Sequence, residues 1–516
     1  VALLVLSPLL GLTIGLVDPP PDPLGAPAAS FGTLLGRSHA VALLGSSVAL
    51  AVGVAVLALL AGAWLAWAEQ RLRYPGRRVL AVVSLLPLAT PSYVAAATFA
   101  QSMGPGGWVG GPLGLPRMTG LGVAVFVLAV VCVPYVHLLV GAALARTSAA
   151  EEEAARALGA GAWRVAWTVV FPRVRAALAL SALLCLLYAI SDFGAVAVLD
   201  APVLTWRLYG AVKGQELAQA TLLGAAVLGV TVPLFALARV LHGARQAGTV
   251  ANPRLPARRQ PGAAALAATY ATHAVVIGAG VVLPVVTLVQ WVGVGLRRDL
   301  VFASPWTVTA ESVAVAAIGA VVTGALAWAP AWVAARDRRW GGWVEQATLL
   351  TSALPGVLLA LGLVLVALAA SRTVGDGRAV YAALTGSGVL LLAGYAVRFL
   401  AEGFAALKTA VLQIDRRQEE SALALGVGRA LFLRRVGLPA MAPGVAAASL
   451  LLFLAVLKEL PVTLLLGGAV GVQTLAFRVW DRYSEAMWHD AGVAALLLEV
   501  VALAVVLATL RWRRAV

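Results

Sequence analysis

Apolar runs long enough to cross a bilayer recur along the whole chain. A hydrocarbon core about 30 Å thick takes about 20 helical residues to cross, with a range of about 17–25. Twelve stretches meet that length, near 1–17, 40–68, 79–100, 120–145, 176–199, 217–238, 265–295, 308–335, 345–370, 384–407, 442–466 and 491–510. The breaks between them are polar. Of the 516 residues 61% are apolar and 12% charged, roughly half the charge of a soluble chain. A single large soluble core does not explain so many runs. The pattern predicts an all-α polytopic membrane protein with about 12 transmembrane helices.

A net charge of +15 suits nucleic acid, but its distribution excludes that partner. With the first span starting inside, the inner segments hold 26 Lys and Arg, and the outer loops hold 10. Arg398 and Lys458 fall within spans. This is the positive-inside bias, and it places both termini in the cytoplasm. Anionic lipid headgroups are a secondary partner for the basic segments. Cys132 and Cys185 lie in apolar runs and read as small core residues. His39, His137, His242, His273 and His489 show no ligand spacing, so no metal site is assigned. The first run is long for a signal peptide and has no convincing cleavage site before Asp18-Pro19-Pro20, so it reads as an anchor. The lysines are Lys213, Lys408 and Lys458. None follows a glycine, so no G-x-x-x-x-G-K-[ST] loop exists to cradle ATP phosphates. The chain is expected to be no enzyme, with any hydrolysis in a separate subunit.

One polar motif occurs twice. Glu153-Ala154-Ala155, Gly159 and Phe171-Pro172 are matched by Glu420-Ser421-Ala422, Gly426 and Leu438-Pro439, at a constant offset of 267 residues (153 to 420, 159 to 426, 172 to 439). Weaker matches accompany it. Ser46-Ser47-Val48 resembles Glu311-Ser312-Val313, Leu86-Pro87 through Thr90-Pro91 resembles Ser352–Pro355, and Tyr135 pairs with Tyr395. Six spans per half is an even number, so both halves enter the membrane the same way, as parallel six-helix repeats. The halves are 1–238 and 265–516, joined by a basic, Pro-rich cytoplasmic linker at 239–264. The 18–39 loop is expected to be extended, and 101–119, dense in Gly and Pro, irregular.

The motif reads as a short capped helix. Ser148 stands three residues before Glu151, and Asp415 three before Gln418, which fits a capping box. Glu153 and Glu420 lie early, where negative charge suits the helix dipole. Gly159 and Gly426 end the helix, because the C′ position favours a left-handed backbone. Pro172 and Pro439 are expected to open the following span, where a missing N–H is harmless. From Tyr135 to Glu153 is 18 residues and from Tyr395 to Glu420 is 25, so the first half is expected to lack residues ahead of its helix.

These motifs resemble the EAA signature of ABC-importer permeases, with Ser421 in place of the middle Ala. The resemblance implies the type I ABC importer permease fold in a bacterial inner membrane. Each motif helix would dock onto a cytoplasmic ABC ATPase subunit, two copies in all, and those subunits would consume the ATP and Mg. This chain would bind no cofactor.

Asp192 and Glu459 also keep the 267 offset, each 20 residues past its motif proline. At about 1.5 Å per residue this puts them about 30 Å away, near the outer face. Such acids are candidate pathway residues. A hard cation prefers oxygen ligands, and Tyr93, Tyr135, Tyr188 and Tyr395 are further candidates. The plain alternative is a pair of helix-end acids, with Glu459 beside Lys458. Arg398 and Glu402, four apart, read as an i,i+4 ion pair. Ser191–Leu199, Val456–Leu466, Thr474-Leu475-Ala476 and Arg478-Val479-Trp480 resemble fused permeases of the ferric-iron uptake family. That resemblance implies import of ferric iron from a periplasmic binding protein. Thiamine or another small solute is the alternative within the class. A secondary transporter with internal repeats is the alternative outside it, although ion-coupled carriers have no ATPase to dock.

Overall fold

The computed structural model describes residues 2–18, 38–147, 149–243, 258–300, 304–337, 339–373 and 376–515. Among them helix is the dominant structure, with one isolated bridge between Leu72 and Arg259. Nine helices are long and apolar enough to cross a membrane: Val41–Arg71, Leu121–Leu144, Trp163–Ser191, Leu217–Leu237, Ala263–Arg297, Pro305–Arg336, Val389–Val411, Ala430–Leu457 and Trp488–Val505. Two further spans are broken pairs, Arg77–Leu88 with Ser92–Met103 and Gly341–Ala353 with Gly356–Arg372, each bent by 103°. The first run forms the shorter helix Ala2–Val17. All twelve apolar runs are therefore helical, as lipid requires of a chain that pairs its own backbone groups.

Both sharp bends fall at prolines. Pro91 and Pro355 each stand just before the second helix of their pair, in extended backbone. Proline supplies no N–H to continue the preceding helix and fixes its own φ, so the chain restarts in a new direction.

The helices gather into two compact units. One comprises Ser30–Tyr209 and Ala226–Gln290. Within it Ser38–Arg71 packs along Leu121–Leu144 and Phe171–Ser191. The other comprises Val1–Ala29, Gly210–Ala225 and Trp291–Val516. Within it Pro305–Arg336 packs along Val389–Val411 and Leu438–Leu457, and Ala2–Val17 lies on Gly356–Arg372. Gly11 and Gly362 make that last contact backbone to backbone. A Cβ on Gly11 would fall 1.9 Å from the Gly362 carbonyl oxygen, the close approach that small residues permit between membrane helices.

Of the linker, residues 239–243 continue the helix Leu217–Gly243, and 244–257 lie outside the described residues. Beyond them Arg259 donates its N–H to Arg71 O and accepts from Arg73 N, both at 2.8 Å. The 18–39 loop is outside the described residues from 19 to 37. The 101–119 stretch is a run of turns.

Candidate functional site

The two motifs form matching short helices, Ala149–Ala157 and Arg416–Ala424. Ser148 lies outside the described residues. Asp415 caps the second helix, but its carboxylate accepts from Arg417 N at 2.9 Å, one residue earlier than the expected Gln418 N–H. Gln418 instead donates its N–H to the Asp415 carbonyl, at 3.1 Å. Both helices end alike. Gly159 N donates to Arg156 O and Ala160 N to Ala155 O; Gly426 N donates to Leu423 O and Val427 N to Ala422 O, all at 2.9–3.0 Å. This paired closure is the Schellman motif, and it sets φ at +83° for Gly159 and +78° for Gly426.

The shorter Tyr-to-Glu interval of the first half does not shorten its approach to this helix. The preceding spans end at Leu144 and Val411, and the motif helices begin at Ala149 and Arg416. Both intervals keep the 267 offset. Tyr135 and Tyr395 were the wrong pair to align. Tyr395 is fully buried, with its hydroxyl 2.7 Å from Thr463 Oγ1, whereas Tyr135 is 37% exposed and stacks 6.1 Å from the Tyr188 ring.

Each motif helix turns one face outward. Glu153, Ala154, Glu420 and Ser421 are exposed, and Ala155 and Ala422 half-buried. A hydroxyl at Ser421 therefore meets solvent, and its departure from Ala carries no burial penalty. Leu158 and Leu425, just before the glycines, are 90% and 83% exposed. Sequence reading passed over these leucines, although they too are 267 apart.

The opposite face holds a glutamate that sequence reading also missed. Glu152 is 2% exposed and Arg71, the last residue of Ser38–Arg71, 7%. Arg71 Nη2 donates to Glu152 Oε1 at 2.5 Å and to Thr147 Oγ1 at 2.7 Å, and Arg156 Nη2 donates to Glu152 Oε2 at 3.1 Å. Arg173 pairs with Glu151. In the other unit Arg336, the last residue of Pro305–Arg336, lies 3.4 Å from Glu419 and donates to the Ile414 carbonyl at 3.0 Å. Both partners there are half-buried. Glu152 and Glu419 keep the 267 offset, which was the available signal.

After each motif helix the chain does not open a fresh span at the proline, as expected. It runs from Trp163 to Ser191 and from Ala430 to Leu457 as one helix through a π-turn, at Ala166–Val170 and Leu433–Gly437. Phe171 N donates to Ala166 O, and Leu438 N to Leu433 O. Pro172 and Pro439 follow directly. The wider turn takes up the bond and ring clash that a proline brings to a continuous helix.

The fifth and eleventh runs stop short of their expected ends. Phe171–Ser191 gives way at Asp192 to the short helix Gly194–Val198, and Leu438–Leu457 gives way to Pro461–Leu466. The acids stand at the breaks. Asp192 Oδ1 accepts from Ala195 N at 2.9 Å, and Glu459 Oε1 from Val462 N at 3.3 Å. Each carboxylate thus satisfies a first-turn N–H of the next helix. Each short helix then packs on the second arm of a broken span. A Cβ on Gly194 would fall 2.7 Å from Tyr93 Cβ, and one on Gly356 would fall 3.0 Å from both Glu459 Oε1 and Pro461 Cβ. The serine match also has a structural meaning. Leu204 N donates to Ser47 Oγ at 2.9 Å, and Leu475 N to Ser312 Oγ at 2.6 Å. Asp192, Tyr93, Tyr135 and Tyr188 belong to one unit, Glu459 and Tyr395 to the other. Among the described residues no ion pair within 4.0 Å joins Arg398 to Glu402; the guanidinium lies 5.7 Å from the Phe399 ring. No group of three His, Cys, Asp or Glu that could hold a metal occurs among them.

Helical spans repeated in parallel, each copy carrying a capped polar helix with an outward apolar tip, define a two-repeat membrane permease. The family of binding-protein-dependent transport system inner membrane components matches the chain twice, over residues 58–247 and 324–513. The chain belongs to that family and has its type I ABC permease fold. It is similar to the Fe(3+)-transport system permease protein FbpB 2 of Haemophilus influenzae, 26% identical over 474 residues that cover 90% of this chain and 88% of that one. Shorter matches join it to single-repeat lengths of other permeases. The probable sulfate transport system permease protein cysT of Chlorokybus atmophyticus is 30% identical over 184 residues, 33% of this chain and 63% of that one. The molybdenum transport system permease protein ModB of Escherichia coli K12 is 32% identical over 138 residues, 26% and 60% of the two chains.

Proposed function

We propose that this chain is the complete membrane pathway of an ATP-driven ferric-iron importer of the bacterial inner membrane, both termini cytoplasmic. Residues 1–238 and 265–516 act as its two permease halves, joined at 239–264. A periplasmic binding protein delivers iron. Two copies of a cytoplasmic ATPase subunit, which consume the ATP and Mg, each take one motif helix. The observation that carries the docking reading is the doubled helix whose exposed face presents Glu153 and Leu158, or Glu420 and Leu425. An isolated leucine that exposed, repeated at the tip of each helix, suits a partner's apolar socket, while the glutamate sets polarity and register. The iron reading is supported by the likeness to FbpB 2 along nearly the full length of both chains. Asp192 and Glu459, with Tyr93, Tyr135, Tyr188 and Tyr395, are the proposed pathway residues.

The test is reconstitution in liposomes with the cognate ATPase and binding protein, followed by uptake of radiolabelled ferric iron. ATP-dependent uptake is expected, with loss of bound ATPase in the Leu158→Asp plus Leu425→Asp variant. Uptake of sulfate or molybdate in place of iron overturns the substrate. Wild-type ATPase binding by the double variant overturns the docking face.

A further inference from the structure

We propose that Arg71 and Glu152 are positioning residues, the joint through which motion of the first motif helix reaches the membrane, and that Arg336–Glu419 is a looser counterpart. This deepens, and rests on, the docking reading above. A docking helix has two duties. Its outer face meets the ATPase, and its inner face must push or pull on something that spans the bilayer. In each unit that contact falls on the last residue of a long helix, Arg71 of Ser38–Arg71 and Arg336 of Pro305–Arg336. Each of these helices packs along two other spans of its unit. A load at its inner end is thus passed to the bundle by packed, stiff elements.

The joints differ in chemistry. Arg71–Glu152 is buried and short at 2.5 Å, and it is braced by Thr147 and Arg156. A charged hydrogen bond in a dry setting is stiff and directional. Thr147 also donates to Leu144 O at 2.7 Å, which ties the joint to the end of the preceding span. Arg336–Glu419 is longer at 3.4 Å and half-buried. Position 423, which corresponds to Arg156, is Leu, and position 440, which corresponds to Arg173, is Ala. Part of the Arg336 guanidinium serves the Ile414 carbonyl instead. The first joint therefore transmits with less slack than the second, and a chain with two similar motif helices acts with two unequal levers.

The experiment uses the full chain co-purified with its cognate ATPase in nanodiscs, with Cys132 and Cys185 replaced. A nitroxide is placed at Val48→Cys or Val313→Cys, on the far part of each long helix, and its EPR spectrum is read before and after trapping with ATP and vanadate. Both labels are expected to change on trapping in the wild type. Glu152→Gln should abolish the change at position 48 while ATPase and trapped nucleotide remain at wild-type stoichiometry, and Glu152→Asp should restore it. Glu419→Gln should keep most of the change at position 313. A change at 48 that survives Glu152→Gln, no change in the wild type, or equal losses at both joints overturns the proposal. If Glu152→Gln does not assemble, the Arg71→Gln plus Glu152→Gln variant decides, since it strands no buried charge. Its assembly with a lost change supports the joint. Its assembly with a normal change, or its failure to assemble, shows a pin for folding alone. Absence of the ATPase from the wild-type complex would instead refute docking itself.

Discussion

Gly159 and Gly426 adopt left-handed backbone with open space where a side chain would go. Substitution there is opposed by backbone strain alone, about 1–2 kcal/mol per residue for an L side chain. Gly159→Val plus Gly426→Val should lower ATPase co-purification and transport, and Asn, which tolerates this conformation, should do less harm than Val. Wild-type transport by the double Val variant would detach the turns from docking. At Asp192 and Glu459 the variants Asn and Gln keep an oxygen for the caps on Ala195 and Val462. Iron uptake should fall further when both are neutralised than with either alone, at unchanged expression. Uptake equal to wild type would leave both acids as caps only. The glycines were legible because a left-handed turn demands that residue. Glu152 was not, because its partner is 81 residues away. Within Glu151-Glu152-Glu153, only the phase of the folded helix decides which acid faces in.

At the scale of elements, the short helices after each break are fitted closely. Gly194→Leu would drive a side chain into Tyr93 and should destabilise by about 1–3 kcal/mol as an overpacked core does. Gly210→Ala, with nothing within 4 Å, should leave the melting temperature in detergent unchanged. Ser47→Ala and Ser312→Ala each remove the acceptor of a buried N–H, at about 1–3 kcal/mol, and should lower that temperature in both units. The twelve runs were visible because lipid imposes length and composition. The bends at Pro91 and Pro355 sat on residues already matched between the halves. The breaks after Ser191 and Leu457, and the π-turns, were hidden within uninterrupted apolar or amphipathic sequence, where hydropathy carries no record of backbone path.

For the whole molecule, reporters fused after Arg78, Arg175, Arg259, Arg339 and Arg435 should read cytoplasmic, and those at Gly106, Gly375 and Asp481 periplasmic. A periplasmic signal at Arg259 would break the parallel repeat. The two halves were legible from one offset, but the packing units were not. Ala2–Val17 belongs to the unit that holds most of the second half, and Ala263–Ile277 to the unit that holds most of the first. A chain cut at position 250 should therefore yield fragments that are degraded when expressed singly and stable when co-expressed, read by immunoblot of membranes. The Gly11–Gly362 contact also sets an order of events during synthesis. The ribosome adds about 5–20 residues each second, so the first helix waits roughly 20–70 s in the membrane before its partner surface exists. For that interval its glycine face is open to any neighbouring helix, and a slow or stalled ribosome lengthens the exposure.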